Sequence, residues 1–169
     1  MDYEIIAIDE ASFQLTTTYK KIWYPRGETP RGAFFWSNEK LITFGALFST
    51  GKFYYDFYDT QNSLTFAHFL REVFKKFQKR KKYVLILDNA GFHKTQCIQK
   101  ILNENSQVSV EYIPPYSPEL NPIETCWKVT KHRVTKSQYF PNIDEMQEAL
   151  ENFWEHHFFK QEFMRYLCP

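Results

Sequence analysis

The stretch Val84-Leu85-Ile86-Leu87-Asp88-Asn89-Ala90-Gly91-Phe92-His93-Lys94, VLILDNAGFHK, runs four apolar residues straight into an aspartate. A strand covered on both faces reads as a continuous apolar run. Taking an ionised carboxylate out of water is costly unless a counter-charge or hydrogen bonds meet it. The same pattern stands near the N-terminus, where EIIAIDE places Asp9 directly after Ile5-Ile6-Ala7-Ile8. Two strands built for burial therefore each deliver an acid at their end.

The segments around these strands set the fold class. A first strand is expected over about residues 4–10, and residues 12–37 read as a short hairpin or extended arm. KLITFGALFST and KFYYDFYDT, separated by Gly51, read as two strands joined by a tight turn. Phe66, Leu70, Val73, Phe74 and Phe77 recur at helical spacing and predict a helix over about 62–79, closed by cations. After the Asp88 strand, a helix over about 94–104 carries Cys97, Ile98, Ile101 and Leu102 on one face. QVSVEYI is a further strand, and PPYSPELNP leads into helices over about 122–135 and 143–158. Three strands in a meander followed by alternating crossovers imply an α/β fold, a mixed five-stranded sheet with helices on its faces. The Asp9 and Asp88 strands can then lie parallel and adjacent, with their acids at the carboxyl edge, the usual place for a site in such sheets.

Bulk composition narrows the function classes. At 169 residues the chain reads as one domain, and aromatics at 19% allow a well-filled core. A net charge of +1 excludes a wholly basic coating protein but leaves room for local basic patches. Cys97, Cys126 and Cys168 are odd in number and lack a CxxC pair, as in a reduced chain without a disulfide framework. No secretory signal is expected from Met-Asp-Tyr-Glu, and no apolar run approaches the roughly 20 residues a membrane span needs.

A third acid comes from SPELNPIETCWKVTKHRV. Asn121 reads as N-cap and Pro122 as first helical residue, placing Glu124 in the first turn. Asn-x-x-Glu is also close to a capping box, in which the glutamate bonds back to the cap, and PNIDEM repeats the spacing with Asn142 and Glu145. Both readings of Glu124 stand at this point. Ile123, Trp127, Thr130 and Val134 form the inward stripe; Glu124, Lys128, Lys131 and Thr135 form its neighbour. That second stripe is either a solvated face or a carboxylate at the core's edge, continued by lysines along a phosphate backbone.

AIDEASF, LILDNAGFHK and YIPPYSPELNPIETCWKVTK together resemble the DDE transposases of the mariner-like group, in particular their bacterial insertion-sequence branch. WYPRGETPR resembles the arm after the first acid in those proteins, and the likeness spans roughly residues 5–135. It implies an RNase H-like fold, with Asp9, Asp88 and Glu124 as catalytic residues that ligate two Mg²⁺ or Mn²⁺ ions. It further implies nicking of DNA at transposon ends, strand transfer into target DNA (TA dinucleotides in relatives), and action as a homodimer. Neither a membrane nor a small-molecule substrate is expected, and the implied setting is the bacterial or archaeal cytoplasm at the nucleoid.

Supporting residues carry two readings each. Asn89 either makes an Asx-turn or orients Asp88. His93 is either a helix-start residue or a contact to DNA phosphate. Glu10 should point to the face opposite Asp9; Glu119 is the rival to Glu124; His157 reads as packing. Lys20, Lys21, Arg26 and Arg31, with Lys128, Lys131 and Arg133, are the expected DNA contacts. Lys75–Lys82 reads as a helix terminus at the far end of the sheet. Family members carry helix-turn-helix modules before the catalytic domain. This chain starts just before the first acid, which leaves an excised domain, the second frame of a split element, or a truncated remnant. A nuclease without strand transfer, a silent DNA-binding remnant and a phosphotransferase using Asp88 alone remain as alternative readings.

Overall fold

Strand β1 (Tyr3–Gln14) alternates buried side chains between its two faces, so it must lie between two apolar layers. The computed structural model, which describes residues 3–16, 25–28, 36–136 and 138–159, shows both layers. Ile5, Ala7, Ala11 and Phe13 enter one core, and Ile6 and Ile8 enter the other. β2 (Lys40–Phe48), β3 (Phe53–Tyr58), β4 (Lys82–Leu87) and β5 (Val108–Tyr112) complete a sheet of order β3-β2-β1-β4-β5. β2 pairs antiparallel with β1 and β3 antiparallel with β2, whereas β4 pairs parallel with β1 and β5 parallel with β4. Gly51, at φ +87°, makes the turn between β2 and β3 that most residues would resist.

Helices α1 (Ser63–Phe74) and α2 (Gln96–Asn103) cover the Ile6/Ile8 face, through Phe66, Phe69, Leu70, Val73, Ile98 and Ile101. Helices α3 (Ile123–Thr130) and α4 (Ile143–His156) cover the Ile5/Ala7 face, through Ile123, Trp127, Met146, Leu150 and Trp154. The mixed five-stranded sheet with helices on both faces is thus the architecture found. α3 passes into a π-helical turn (Lys131–Thr135), and the stripe Ile123, Trp127, Thr130 and Val134 is buried as its spacing predicts.

Several boundaries differ from expectation for identifiable reasons. β1 does not end at Asp9; Ala11, Phe13 and Leu15 continue the buried alternation and β2 pairs with it as far as Gln14↔Lys40. α1 stops at Phe74, because Phe77 leaves the helical path to stack 3.7 Å from the Tyr83 ring, whose hydroxyl accepts from Gln78 N. The expected helix from residue 94 is broken at Thr95 into a 3₁₀ turn (Gly91–Lys94) and α2, which leaves Cys97 exposed. His157 lies beyond α4 and stacks on Phe153, as packing. The arm lies mostly outside the described residues, apart from the turn at Pro25–Glu28 and the closure of its ends where Leu15 N donates to Glu39 O.

One contact ties the sheet to α3. Gly45 is the β2 partner of Asp9, and a Cβ placed on it would lie 2.5 Å from the Trp127 ring. Gly45→Ala should lower stability by about 1–3 kcal/mol in urea titrations through overpacking. Gly91→Ala, where nothing lies within 4 Å, serves as the neutral control.

Candidate active site

The β1–β4 ladder runs from Tyr3↔Lys82 to Ala7↔Ile86. Carrying that register two places further sets Asp9 level with Asp88, both on the face covered by α3. α3 starts above the same edge. Asp9, Asp88 and Glu124 line one cavity of about 450 Å³, whose opposite wall is Ile113, Pro114, Pro115 and Tyr116. Tyr116 is fully exposed and holds φ at 59°, an uncommon value for a side chain other than glycine.

Each carboxylate has a different environment. Asp9 accepts from Trp127 Nε1 on Oδ2 at 3.1 Å. Burial, followed by the charges of Glu10, Glu124 and Asp88, pushes its pKa up from 3.8 to about 7 against a backbone hydrogen bond at Glu10. Asp88 takes its hydrogen bonds on Oδ1, from Ala90 N at 2.9 Å and from His93 Nδ1 at 2.8 Å, and His93 holds its carboxyl below the usual range. The Glu124 carboxylate has no hydrogen-bond or ion-pair partner among the described residues.

The capping alternative for Glu124 is not what forms. Pro122 occupies the N-cap position, and the Asn121 side chain makes no cap bond. Asn121 is 3% exposed, lines the cavity, and its Oδ1 has no protein partner. Asn142, the internal comparison, does cap: its side chain accepts from Glu145 N at 2.8 Å. Glu119, the rival acid, is exposed in a 3₁₀ turn and does not line the cavity.

The supporting residues required correction. Asn89 neither forms the Asx-turn nor touches Asp88. Its amide donates to Ile113 O and its Oδ1 accepts from Lys94, fastening the ends of β4 and β5, while Asp88 makes the turn itself. His93 cannot contact DNA: it is fully buried, between Asp88 and Glu10, with Nε2 3.0 Å from Glu10 Oε1. Burial alone would lower its pKa, but hydrogen bonds to both carboxylates outweigh this and raise it to about 9, so the ring is an imidazolium. Glu10 does point away from Asp9, yet through His93 it belongs to the Asp88 network. The available signal was a second acid on a fully buried strand, which needs a cation on its own face. The part of Trp127 as a donor to Asp9 was likewise missed.

Lys128, Lys131 and Arg133 are exposed along α3 and its π turn, and Arg26 is exposed in the arm turn. Lys20, Lys21 and Arg31 lie outside the described residues.

Hard oxygen donors with a free carboxylate and an orphaned amide oxygen beside them fit a hydrated divalent cation, whose waters would supply the missing donor to Asn121. The three acids line one cavity, but as the side chains stand no group of three or more acidic, histidine or cysteine residues among the described residues is close enough to hold a metal ion. Among those same residues, no helix is long and apolar enough to cross a membrane.

Comparison with known proteins gives the same picture. The chain is 28% identical over 155 residues to an uncharacterized 39 kDa protein of insertion element IS630 from Shigella sonnei, covering 91% of this chain and 45% of that protein. It is 35% identical over 63 residues to the uncharacterized protein y4pE/y4sA of Sinorhizobium fredii, covering 37% of this chain and 44% of that protein. The chain therefore spans less than half the length of these curated relatives. In fold it matches the Mos1 mariner paired end complex with Mn at TM-score 0.77 and 17% identity, over 95% of this chain and 50% of that one. The catalytic domain of Mos1 mariner transposase matches at TM-score 0.65 and 18% identity, over 94% and 72% respectively. These likenesses show the RNase H-like fold. The model of the DDE superfamily endonucleases takes in residues 4–147, a family whose chemistry implies divalent metal, and by that match the chain belongs to the DDE superfamily endonucleases.

Proposed function

We propose that Asp9, Asp88 and Glu124 hold two Mg²⁺ or Mn²⁺ ions and that the site cuts DNA at the ends of a transposable element, then joins the freed end to target DNA. The observation that carries this reading is the convergence of three carboxylates from β1, β4 and α3 on one cavity, with Glu124 free of its own helix start. Divalent cations bound there supply activation of water or of a DNA 3′-hydroxyl and stabilise the departing oxygen. Trp127 fixes Asp9, Ala90 and His93 fix Asp88, and Lys128, Lys131 and Arg133 continue the path of the phosphate backbone beyond Glu124. Solved Mos1 complexes include a strand transfer complex, in keeping with joining as the second step.

Asp9→Ala, Asp88→Ala and Glu124→Ala should each reduce Mn²⁺-dependent nicking of supercoiled DNA by about a hundred-fold or more while leaving the fold intact. Wild-type rates in folded variants would defeat the assignment. Analysis of the products separates a transposase from a plain nuclease, since only the former yields joined strands.

Metal binding also has a signature in stability. With the folded pKa of Asp9 raised to about 7 from 3.8, the metal-free protein loses stability as pH rises through that window. His93, raised to about 9 from 6.5, loses its contribution in the next window. Melting of the metal-free protein should therefore fall continuously between pH 4.5 and 9. Mn²⁺ should raise Tm more at pH 8 than at pH 5, and Asp9→Asn should flatten the portion below pH 7. A flat wild-type profile would contradict the burial of Asp9. Separately, replacing Lys128 and Lys131 together by alanine should lower the slope of log affinity for DNA against log salt by about two.

A further inference from the structure

The opposite end of the sheet carries a charge that the cleavage cavity does not use. Residues 75–82, KKFQKRKK, hold six cations and no acid. The whole chain has 21 basic and 20 acidic residues, so the remainder has 15 against 20, a net charge of −5. The end of a helix accounts for part of this run only. α1 closes at Phe74 with Lys75 as its C-cap, and the macrodipole acts within the last turn. Lys79, Arg80 and Lys82 lie beyond that reach and are exposed.

The run is built into the fold on both sides. Lys81 Nζ pairs with buried Glu4 at 2.9 Å, Lys82 Nζ donates to Ser106 O at 2.7 Å, and Lys76 Nζ sits 4.0 Å above the Tyr54 ring. Lys52, Lys76 and Lys81 line a groove of about 410 Å³ floored by Tyr54 and Tyr83. Lys79 and Arg80 line a second hollow, which shares Gln78 and Lys81 with the groove, and have no carboxylate within ion-pair distance among the described residues. Like charges this close repel one another, and a polyanion is what relieves that repulsion. Tyr3, paired with Lys82, stands six residues before Asp9 on β1, which sets the basic edge about 20 Å from the carboxylates. It faces the other way along the strands.

We infer that this edge grips the phosphate backbone of a duplex DNA segment distinct from the one being cut. The inference rests on the DNA reading of the carboxylate site and adds a second DNA surface to it. In the joining step both reacting ends meet at the carboxylates, so a duplex held on the far edge is bound through a stretch remote from the reacting bonds. The lysines of the far edge give affinity without sequence preference, as backbone contacts do.

The test uses Lys79→Glu with Arg80→Glu, both exposed and unpaired, so the fold is retained. Protein bound to an immobilised duplex is offered a fluorescent second duplex, and nicking of a duplex too short to reach past the cavity is measured in parallel. The expected result is at least a tenfold loss of second-duplex capture, a salt slope lower by about two, and short-duplex nicking unchanged within twofold. Capture equal to wild type, or no capture by the wild type, overturns the inference. Loss of capture in the variant with no nicking by either protein would sink the cleavage reading and leave the basic edge standing.

Discussion

The structure turns on how β1 disposes of two adjacent acids that it cannot leave in water. Asp9 and Glu10 project to opposite faces of a strand covered on both sides. On one face Glu10 meets an imidazolium, His93, which is itself held by Asp88 from the other direction, although burial still holds the Glu10 carboxyl above its usual range. On the other face Asp9 receives only the neutral indole N–H of Trp127 and a backbone bond, and burial drives its pKa to about 7. A well-packed core would not keep such a group without reason, since burying an unmatched carboxylate is among the costlier things a fold can do. Of the two neighbours, Glu10 has a cationic partner within the chain, and Asp9 has none among the described residues.

Packing makes the position of Asp9 inseparable from that of Glu124. The indole of Trp127 rests on Gly45, the one partner of Asp9 in β2 that leaves room for it, and packs edge-on against Phe13, Phe53 and Trp154. This packing seats α3 on the sheet with Trp127 Nε1 3.1 Å from Asp9 Oδ2. Glu124 lies on the same short helix, three residues before Trp127, and is carried to the cavity by the same contact. Aromatic packing in the core thus sets the geometry of the acids at its edge.

What was legible in the sequence followed from period and run length. Ile5–Ile8 and Val84–Leu87 announced buried parallel strands, and the spacing of Ile123, Trp127, Thr130 and Val134 fixed the inward face of α3. What escaped depended on partners distant in the chain. His93 and Glu10 are 83 positions apart, and Trp127 and Asp9 are 118 apart, so no local pattern could link them. Asn89 was misread because the residue following a strand normally closes its own turn. Here Asp88 had already taken that role, which released Asn89 to tie β4 to β5. The early end of α1 is of the same kind, since Phe77 is helical by spacing but finds a better stacking partner in Tyr83.

The two Asn-x-x-Glu segments show how one residue decides between a structural and a chemical carboxylate. At Asn142 the cap is the asparagine itself, so Glu145 falls at the third helical position, where its N–H meets the Asn142 side chain. At Asn121 the next residue is Pro122, whose φ of −54° and ψ of −36° are already helical, and the cap moves forward by one. Glu124 then stands at the second position, out of register for the reciprocal bonds of a capping box. Asn121, displaced from the cap, is left with a buried acceptor facing the same cavity. The proline thereby prevents the helix start from satisfying its own groups and leaves an oxygen-rich edge free beside Asp9 and Asp88.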